Sequence, residues 1–344
     1  MKINNIHLSN FRNHQNLTIY PKPGINVIVG ENGKGKTNIL ESIYYCSFGK
    51  SFRTSEEKDL INENSNAAYI QLNGENSKGK IKLEVETTTK GKKFILNDKK
   101  VSKMSDLNKK INVLTFYPSQ VDLFKNSPSD RRIFLDILIS KIDLMYLDKL
   151  KRYKTLLKER NLALKEENVN KMYVFTLTNE MVSLSREITN IRLKYIDSLN
   201  NVLSKIASKI SNKNQNLKIK YLPTLEMSDK YNELLLKMYQ ESYEKDLILK
   251  STSIGIHKED FNMLLDGKNI TKYGSQGENR LSVISLILSP YFLENSDHPI
   301  VILDDVLSEL DEINKSRLLE FLSKFEQVFI TTTNSIGIGN EIKI

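Results

Sequence analysis

Eight residues from Gly30 to Thr37 follow the spacing G-x-x-x-x-G-K-T. The glycines let the backbone curl so that its N–H groups face phosphate oxygens, and a following helix would point its positive N-terminal end at the same place. In this pattern the Lys36 ammonium reaches the β- and γ-phosphates of a nucleotide, while the Thr37 hydroxyl ligates Mg²⁺. The predicted nucleotide-binding residues of this loop are Gly30, Glu31, Asn32, Gly33, Lys34, Gly35, Lys36, Thr37 and Asn38.

Two carboxylates near the C-terminus complete the chemistry that such a loop needs. The apolar run 300–303 reads as a buried strand and ends at Asp304 and Asp305. A strand of this kind delivers its first carboxylate beside a phosphate loop, where Asp304 holds Mg²⁺ directly or through water. Asp305 is then placed to polarise the attacking water as a general base. We therefore predict Thr37 and Asp304 as metal ligands, and Asp305 and Lys36 as catalytic residues.

The elements around these residues follow from hydrophobic patterning. The short apolar run 25–29 ends at Gly30 and predicts a buried strand, and residues 37–47 predict a helix. From Tyr69 to Leu96 apolar and polar residues mostly alternate, which indicates an antiparallel β subdomain with one solvated face. The phosphate loop is thus expected between a strand and a helix.

The middle of the chain reads as helical. Neither Pro nor Gly occurs between Arg131 and Ile210. Within this stretch a 4-3-4-3-4 apolar spacing predicts the seam of a helical bundle or coiled coil. The seam residues are Leu177, Met181, Leu184, Ile188, Ile191 and Tyr195. A similar seam covers 147–164, and a break near 167–171 would let the two helices pair as a hairpin. Core helices of a bundle and a projecting arm both fit this pattern.

Phosphate-loop proteins fall into classes that differ in the order of these motifs along the chain. The acidic strand lies far from the loop, and Gly274-Ser275-Gln276-Gly277 precedes it with a helix between. This order resembles the ABC ATPases, whose signature is a Ser-x-Gly turn at a helix N-terminus. The resemblance implies that Ser275, Gln276 and Gly277 face the γ-phosphate of ATP bound by a partner subunit. Residues 308–311 resemble the D-loop of that family, and 329–334 lie where it carries a switch histidine, which this chain lacks.

We therefore predict an α/β fold, an ABC-type P-loop ATPase head with a mixed sheet and an antiparallel β subdomain, plus an inserted α-helical arm domain. The predicted head is discontinuous and comprises residues 1–128 and 245–344. The predicted helical insert comprises residues 129–244.

The amino-acid composition limits the kinds of partner and the location that we expect for the protein. The formal net charge is +9, an excess that favours polyanions such as nucleic acid, although a Lys-rich genome composition would produce it too. No apolar run approaches the roughly 18 residues that cross a bilayer, and the N-terminus has no signal-peptide pattern. The single cysteine, Cys46, excludes an intramolecular disulfide. We expect a cytoplasmic protein with no membrane partner.

Several segments together resemble the RecF family of SMC-like ABC ATPases over essentially the whole chain. The segments are 10–13, 36–43, 49–54, 127–132, 274–277 and 303–311. The resemblance implies ATP and Mg²⁺ as cofactors, ATP-dependent homodimerisation, and slow DNA-stimulated hydrolysis that acts as a switch. It also implies binding to single-stranded, gapped or junction DNA during DNA repair, replication and the SOS response. The implied task is to help load RecA onto gapped DNA, with RecR and RecO as partners.

The chain departs from the family pattern at three places. Glu278-Asn279 replaces a usual Gln-Gln after the signature, and Glu278 would add negative charge near an incoming γ-phosphate. Gln120 lies within an altered segment, Pro118-Ser119-Gln120-Val121, near the expected Q-loop. His257 lies in a Gly-Pro-His segment that has lost its proline, and a structural role is as consistent with it as a functional one.

Two other classes of protein share parts of this motif set. Another SMC-like or nuclease-associated DNA ATPase would have long coiled-coil arms or a metal-binding nuclease domain, and the sequence indicates neither. A transporter ATPase would carry a Leu-Ser-Gly-Gly-Gln signature and a switch histidine, and both are missing.

Overall fold

The computed structural model describes residues 1–108, 110–213, 215–293 and 298–344. The chain packs as two compact units. Unit 1 comprises Met1–Val121, Lys205–Gln215 and Gln276–Ile344, and unit 2 comprises Asp122–Ser204 and Asn216–Ser275. The predicted division of the chain at 128 and 245 stays a prediction.

The strands follow in chain order. They are β1 Lys2–Phe11, β2 His14–Ile19, β3 Gly24–Val29, β4 Ala67–Asn76, β5 Gly79–Thr88, β6 Gly91–Leu96, β7 Lys99–Lys100, β8 Val113–Phe116, β9 Leu217–Leu222, β10 Asp260–Leu265, β11 Lys268–Asn269, β12 Ile300–Leu303, β13 Gln327–Thr332 and β14 Asn340–Lys343.

The α-helices are α1 Lys36–Phe48, α2 Met104–Asn108, α3 Pro128–Ile142, α4 Leu144–Ala163, α5 Lys171–Ile210, α6 Tyr231–Glu241, α7 Tyr243–Leu249, α8 Ile270–Tyr273, α9 Gln276–Leu288 and α10 Glu312–Leu322. Short 3₁₀ turns cover Glu57–Leu60, Pro118–Asp122 and Ser289–Phe292.

Unit 1 contains two sheets of different character. One is antiparallel with the order β2-β1-β4-β5-β6-β7, and in β4 and β5 buried residues alternate with partly or fully exposed ones, as the sequence predicts. The other has the order β14-β3-β13-β12-β8, and its neighbouring strands pair in parallel. All four residues of β12 are buried, because both faces of a parallel sheet are covered.

Helix α1 packs against strands of both sheets of unit 1. Every residue from Ile39 to Ser47 is buried, so the helix has no solvent face. Ile39 and Ile43 belong to one apolar core together with Leu8 of β1 and Ile302 of β12. This burial fixes the helix that begins at the phosphate loop.

In unit 2, helices α4 and α5 form the predicted hairpin. The contacts Lys149–Glu187, Arg152–Glu180 and Arg160–Thr178 pair residues in opposite directions along the two helices. The seam residues Leu177, Met181, Ile188 and Tyr195 are buried, as a bundle core requires. Strands β10 and β11 form a hairpin, and β10 also pairs with β9.

Buried charges in unit 2 are paired. The Arg192 guanidinium lies 2.8 Å from the Asp136 carboxylate and 3.1 Å from the Glu259 carboxylate. Nearby, the His257 ring contacts the Tyr153 hydroxyl at 2.9 Å and the Thr252 carbonyl at 3.0 Å. Burial lowers the pKa of His257 to about 4, so the ring is neutral at pH 7. Its contacts are those of a structural histidine.

Candidate nucleotide-binding site

The predicted phosphate loop connects β3 to α1. Gly33 and Gly35 have φ values of 85° and 97°, in the left-handed region that favours glycine. A Cβ atom at Gly35 would also collide with the side chains of Asn13 and His14. Position 35 therefore requires glycine both for its backbone conformation and for the space beside it.

The turn after β1 holds this loop from outside. The Asn13 amide donates to the Gly33 carbonyl at 3.2 Å and accepts from the Asn38 amide at 2.7 Å. The His14 ring lies 3.1 Å from the Gly35 carbonyl. Burial lowers the pKa of His14, which keeps the ring neutral, and a neutral ring donates to that carbonyl from its Nε2–H. The sequence did not reveal these contacts.

The Lys36 ammonium spans the mouth of the loop. Its Nζ atom donates to the Gly30 carbonyl at 2.7 Å and to the Glu31 carbonyl at 2.9 Å. The cation is therefore held at the point towards which the loop and the start of α1 converge. An ammonium there is suited to bind terminal phosphate oxygens.

The two predicted metal ligands lie together. The Thr37 hydroxyl is 2.9 and 3.0 Å from the two carboxylate oxygens of Asp304, although 267 residues separate them. Thr331 also donates to Asp304, at 2.7 Å. Burial raises the pKa of Asp304, and the hydrogen bonds from Thr331 and Thr37 oppose that shift. A hydroxyl and a carboxylate in contact match the hard oxygen ligands that Mg²⁺ prefers.

These groups line one cavity of about 650 Å³, a size within the usual range for small-molecule sites. Its lining residues are Asn13, Asn32, Gly33, Gly35, Lys36, Thr37, Asn38, Arg53, Pro118, Asp304, Asp305, Ser308, Thr331 and Thr333. Residues of the phosphate loop, Thr37, Asp304 and Asp305 thus line one cavity, and their roles as metal ligands and base stay predictions.

A buried carboxylate supports the cavity wall. Glu41 of α1 is fully buried and accepts two hydrogen bonds from Arg12, at 2.9 and 2.6 Å. Arg53 lies 3.5 Å from Glu41 and donates to Asn38 at 2.7 Å. Because the Arg53 side chain is 44% exposed and lines the cavity, it offers a second cation to a phosphate. Arg12 and Arg53 lie in the segments 10–13 and 49–54, to which the sequence alone assigns no chemical role.

The signature residues begin helix α9. The helix starts at Gln276, directly after Ser275, so the turn precedes a helix of 13 residues. Ser275, Gln276 and Gly277 are not among the described residues that line the cavity. Gln120 accepts a hydrogen bond from the Tyr117 amide at 3.0 Å and is also outside that set. The roles of these residues stay predictions.

Arg280, one turn into α9, makes contacts that the sequence did not reveal. It donates to the Asp305 carbonyl at 2.6 Å and to the Ser308 hydroxyl at 3.1 Å, and pairs with Glu309 at 2.8 Å. Its guanidinium is almost fully buried. The start of α9 is therefore bonded to the segment that follows the acidic strand.

Sequence comparisons identify the family of the chain. A family model described as "RecF/RecN/SMC N terminal domain" matches residues 2–339. The chain is 36% identical to "DNA replication and repair protein RecF" of Clostridium perfringens, covering 97% of this chain and 93% of that one. It is 35% identical to the protein of the same name from Geobacillus kaustophilus, covering 99% and 95%.

Solved structures give the same result. "Structure of the recombination mediator protein RecF-ATPrS in RecFOR pathway" superposes with a TM-score of 0.89 at 31% identity, covering 100% of this chain and 96% of that one. An Smc head from Pyrococcus furiosus, at 19% identity and a TM-score of 0.58, shares the fold. The predicted ABC-type ATPase head is thereby confirmed. The part of the chain that the structure describes contains no helix both long and apolar enough to span a membrane. The chain belongs to the RecF family.

Proposed function

We propose that this chain is an ATP-dependent DNA-binding protein of recombinational repair and replication-gap processing. In this proposal it dimerises on ATP and helps load RecA onto gapped DNA in the cytoplasm, as part of the response to DNA damage. The observation that carries the proposal is the contact of Thr37 with Asp304 beside a phosphate loop and Lys36. Family membership adds the DNA repair context, since similar proteins are named for DNA replication and repair.

The cavity residues would divide the work of ATP binding and hydrolysis. Backbone N–H groups of the loop and the Lys36 ammonium bind the phosphates. Thr37 and Asp304 would hold Mg²⁺, which when bound neutralises charge on the β- and γ-phosphates. Asp305 accepts a proton from the attacking water. Arg53 adds positive charge at the cavity wall.

The signature turn would act on a second copy of the chain. Ser275, Gln276 and Gly277 precede or begin α9, whose N–H groups and positive helix end favour an anion. Bound ATP then bridges two subunits, and slow, DNA-stimulated hydrolysis releases them. Similar proteins described as RecF in the RecFOR pathway support RecR and RecO as partners, and the net charge of +9 supports DNA as the polyanion.

The mass of the protein in solution, with and without ATP and gapped DNA, tests this proposal. Wild type should change from monomer to dimer when ATP is added. Ser275→Arg should bind ATP but stay monomeric, because a bulky cation would occupy the approach of the γ-phosphate. At an ATP concentration just sufficient to saturate wild type, Lys36→Ala should also stay monomeric, but because it binds ATP more weakly. A Ser275→Arg dimer that forms as readily as wild type would refute the shared site.

A further inference from the structure

Asp305 has an unusual backbone conformation. Its φ is 48°, in the left-handed region that a non-glycine residue adopts only at a cost. Such strained residues persist when surrounding contacts hold them, and they concentrate at functional sites. What holds the Asp305 peptide therefore also decides where its carboxylate points.

The amide side of Asp305 is held by Thr331. The Asp305 N–H donates to the Thr331 hydroxyl at 2.8 Å, and the same hydroxyl donates its own proton to the Asp304 carboxylate at 2.7 Å. Thr331 is only 2% exposed, so water does not compete for these bonds. One hydroxyl thus ties the predicted metal ligand to the predicted base.

The carbonyl side of Asp305 is held by Arg280. The guanidinium donates to the Asp305 carbonyl at 2.6 Å, and the Ser308 hydroxyl donates to the same carbonyl at 2.9 Å. Arg280 also stacks over Phe116, with its guanidinium carbon 5.5 Å from the ring centroid. It projects from α9 four residues after the first residue of that helix, Gln276.

We propose that Thr331 and Arg280 are positioning residues that together hold the Asp305 peptide in its left-handed conformation and so aim its carboxylate for hydrolysis. This rests on the proposed role of Asp305 as general base. The same contacts link α9 to the predicted base. A movement at the start of α9, where the signature residues lie, would reach the Asp305 carboxylate through one buried side chain, that of Arg280. Because neither Thr331 nor Arg280 belongs to the phosphate loop, replacing them should lower the rate of hydrolysis without lowering the affinity for ATP.

The first test removes one hydroxyl without changing shape. Thr331→Val should lower kcat by about 10- to 100-fold, a range typical of a slightly misplaced catalytic group. Thr331→Ser keeps the hydroxyl and should stay within about threefold of wild type. Thr332→Val, the same change one residue along β13, should have no effect. ATP affinity measured without Mg²⁺, and the unfolding midpoint, should remain near wild type for Thr331→Ser and Thr332→Val.

The second test uses Arg280. Arg280→Gln should lower kcat with little change in ATP affinity, and Arg280→Lys should recover part of the loss. Because both residues hold one peptide, the Thr331→Val, Arg280→Gln double variant should be far less impaired than the product of the single losses predicts.

The outcomes separate this inference from the function on which it rests. Asp305→Asn with full hydrolysis would refute the base role itself. Inactive Asp305→Asn together with full activity of Thr331→Val, or equal losses in Thr331→Val and Thr331→Ser, would refute the positioning role alone. If the losses of the two single variants multiplied in the double variant, the proposal that Thr331 and Arg280 hold the same peptide would also be refuted.

Discussion

The Lys213 ammonium lies 3.0 Å from the Glu278 carboxylate. Glu278 is the acidic residue in the first turn of α9. In the dimer that we propose, its negative charge would oppose the γ-phosphate bound by the partner subunit. The lysine follows α5 and supplies the opposite charge. The departure from the family pattern at Glu278 is thus accompanied by a cation that offsets it.

Lys213→Ala should weaken ATP-dependent dimerisation, because the Glu278 carboxylate then loses the positive charge 3.0 Å from it. Glu278→Gln should leave dimerisation equal to or stronger than wild type, and it should rescue Lys213→Ala in the double variant. Stability should change by less than about 1 kcal/mol, since the pair is partly exposed. Sedimentation in ATP measures the dimer, and Lys209→Ala, an exposed lysine on α5, is the matched control. Unchanged dimerisation of Lys213→Ala would contradict the compensation.

Lys36→Ala should weaken ATP binding by about 10- to 100-fold, the usual effect of losing a charged hydrogen bond. The fold should survive, because the ammonium contacts loop carbonyls and does not pack in the core. Calorimetric titration with ATP gives the affinity, and the circular dichroism spectrum checks the fold. Unchanged affinity would show that the loop is not the nucleotide site.

Asp305→Asn should bind ATP normally and hydrolyse it about 10²- to 10⁴-fold more slowly, the range for loss of a general base. The bound dimer should then persist. Phosphate release under single-turnover conditions measures the chemical step. Hydrolysis at the wild-type rate would remove Asp305 from that role.

DNA affinity should fall steeply with salt, because each phosphate neutralised by Lys or Arg releases a counterion. About six such contacts would lower affinity roughly 10³-fold between 50 and 200 mM salt. Fluorescence anisotropy of a labelled gapped duplex gives the slope. A flat response, or no binding at low salt, would favour genome composition as the origin of the +9 charge.

His257 should make unit 2 less stable in acid. Burial, together with the nearby cations Lys258, Arg132 and Arg160, lowers its pKa to about 4, while the unfolded state binds a proton near pH 6.5. The unfolding free energy should therefore fall by about 1.4 kcal/mol for each pH unit from 6.5 to 4, and level off below. Comparing the urea unfolding of wild type and His257→Gln at several pH values isolates the contribution of His257 to the unfolding free energy. Equal pH slopes in both proteins would contradict the prediction.

Local motifs explain how much of the site could be predicted. The phosphate loop and the acidic strand are contiguous segments, each with its strand or helix beside it, so Gly30–Thr37, Asp304 and Asp305 follow from spacing alone. The buried ion pairs cannot be predicted in this way. Arg12 and Glu41 are 29 residues apart, and in the sequence each looks like an ordinary solvated side chain. Only the packing of α1 makes Glu41 an anchor for the cavity wall.

The fold class could also be predicted from local sequence patterns, but the limits of the two compact units could not. Alternating strands and an uninterrupted helical stretch indicate the sheet types and the hairpin of α4 and α5. The boundary between Ser204 and Lys205, however, falls inside α5. A helix that continues through a boundary shows no Pro, Gly or change of composition there, so no pattern reports it.

The separation of 267 residues between Thr37 and Asp304 has a consequence for biosynthesis. At about 5–20 residues per second, a ribosome needs roughly 13 to 53 seconds to reach Asp304 after Thr37. The phosphate loop and α1 are made first, but Asp304 and the strands β12 and β13 beside it are made only around the end of this interval. Nascent chains therefore have no complete nucleotide site, and one interrupted before Asp304 never acquires it. In the site that we propose, the ability to bind Mg²⁺ and ATP together therefore requires that translation has passed Asp304.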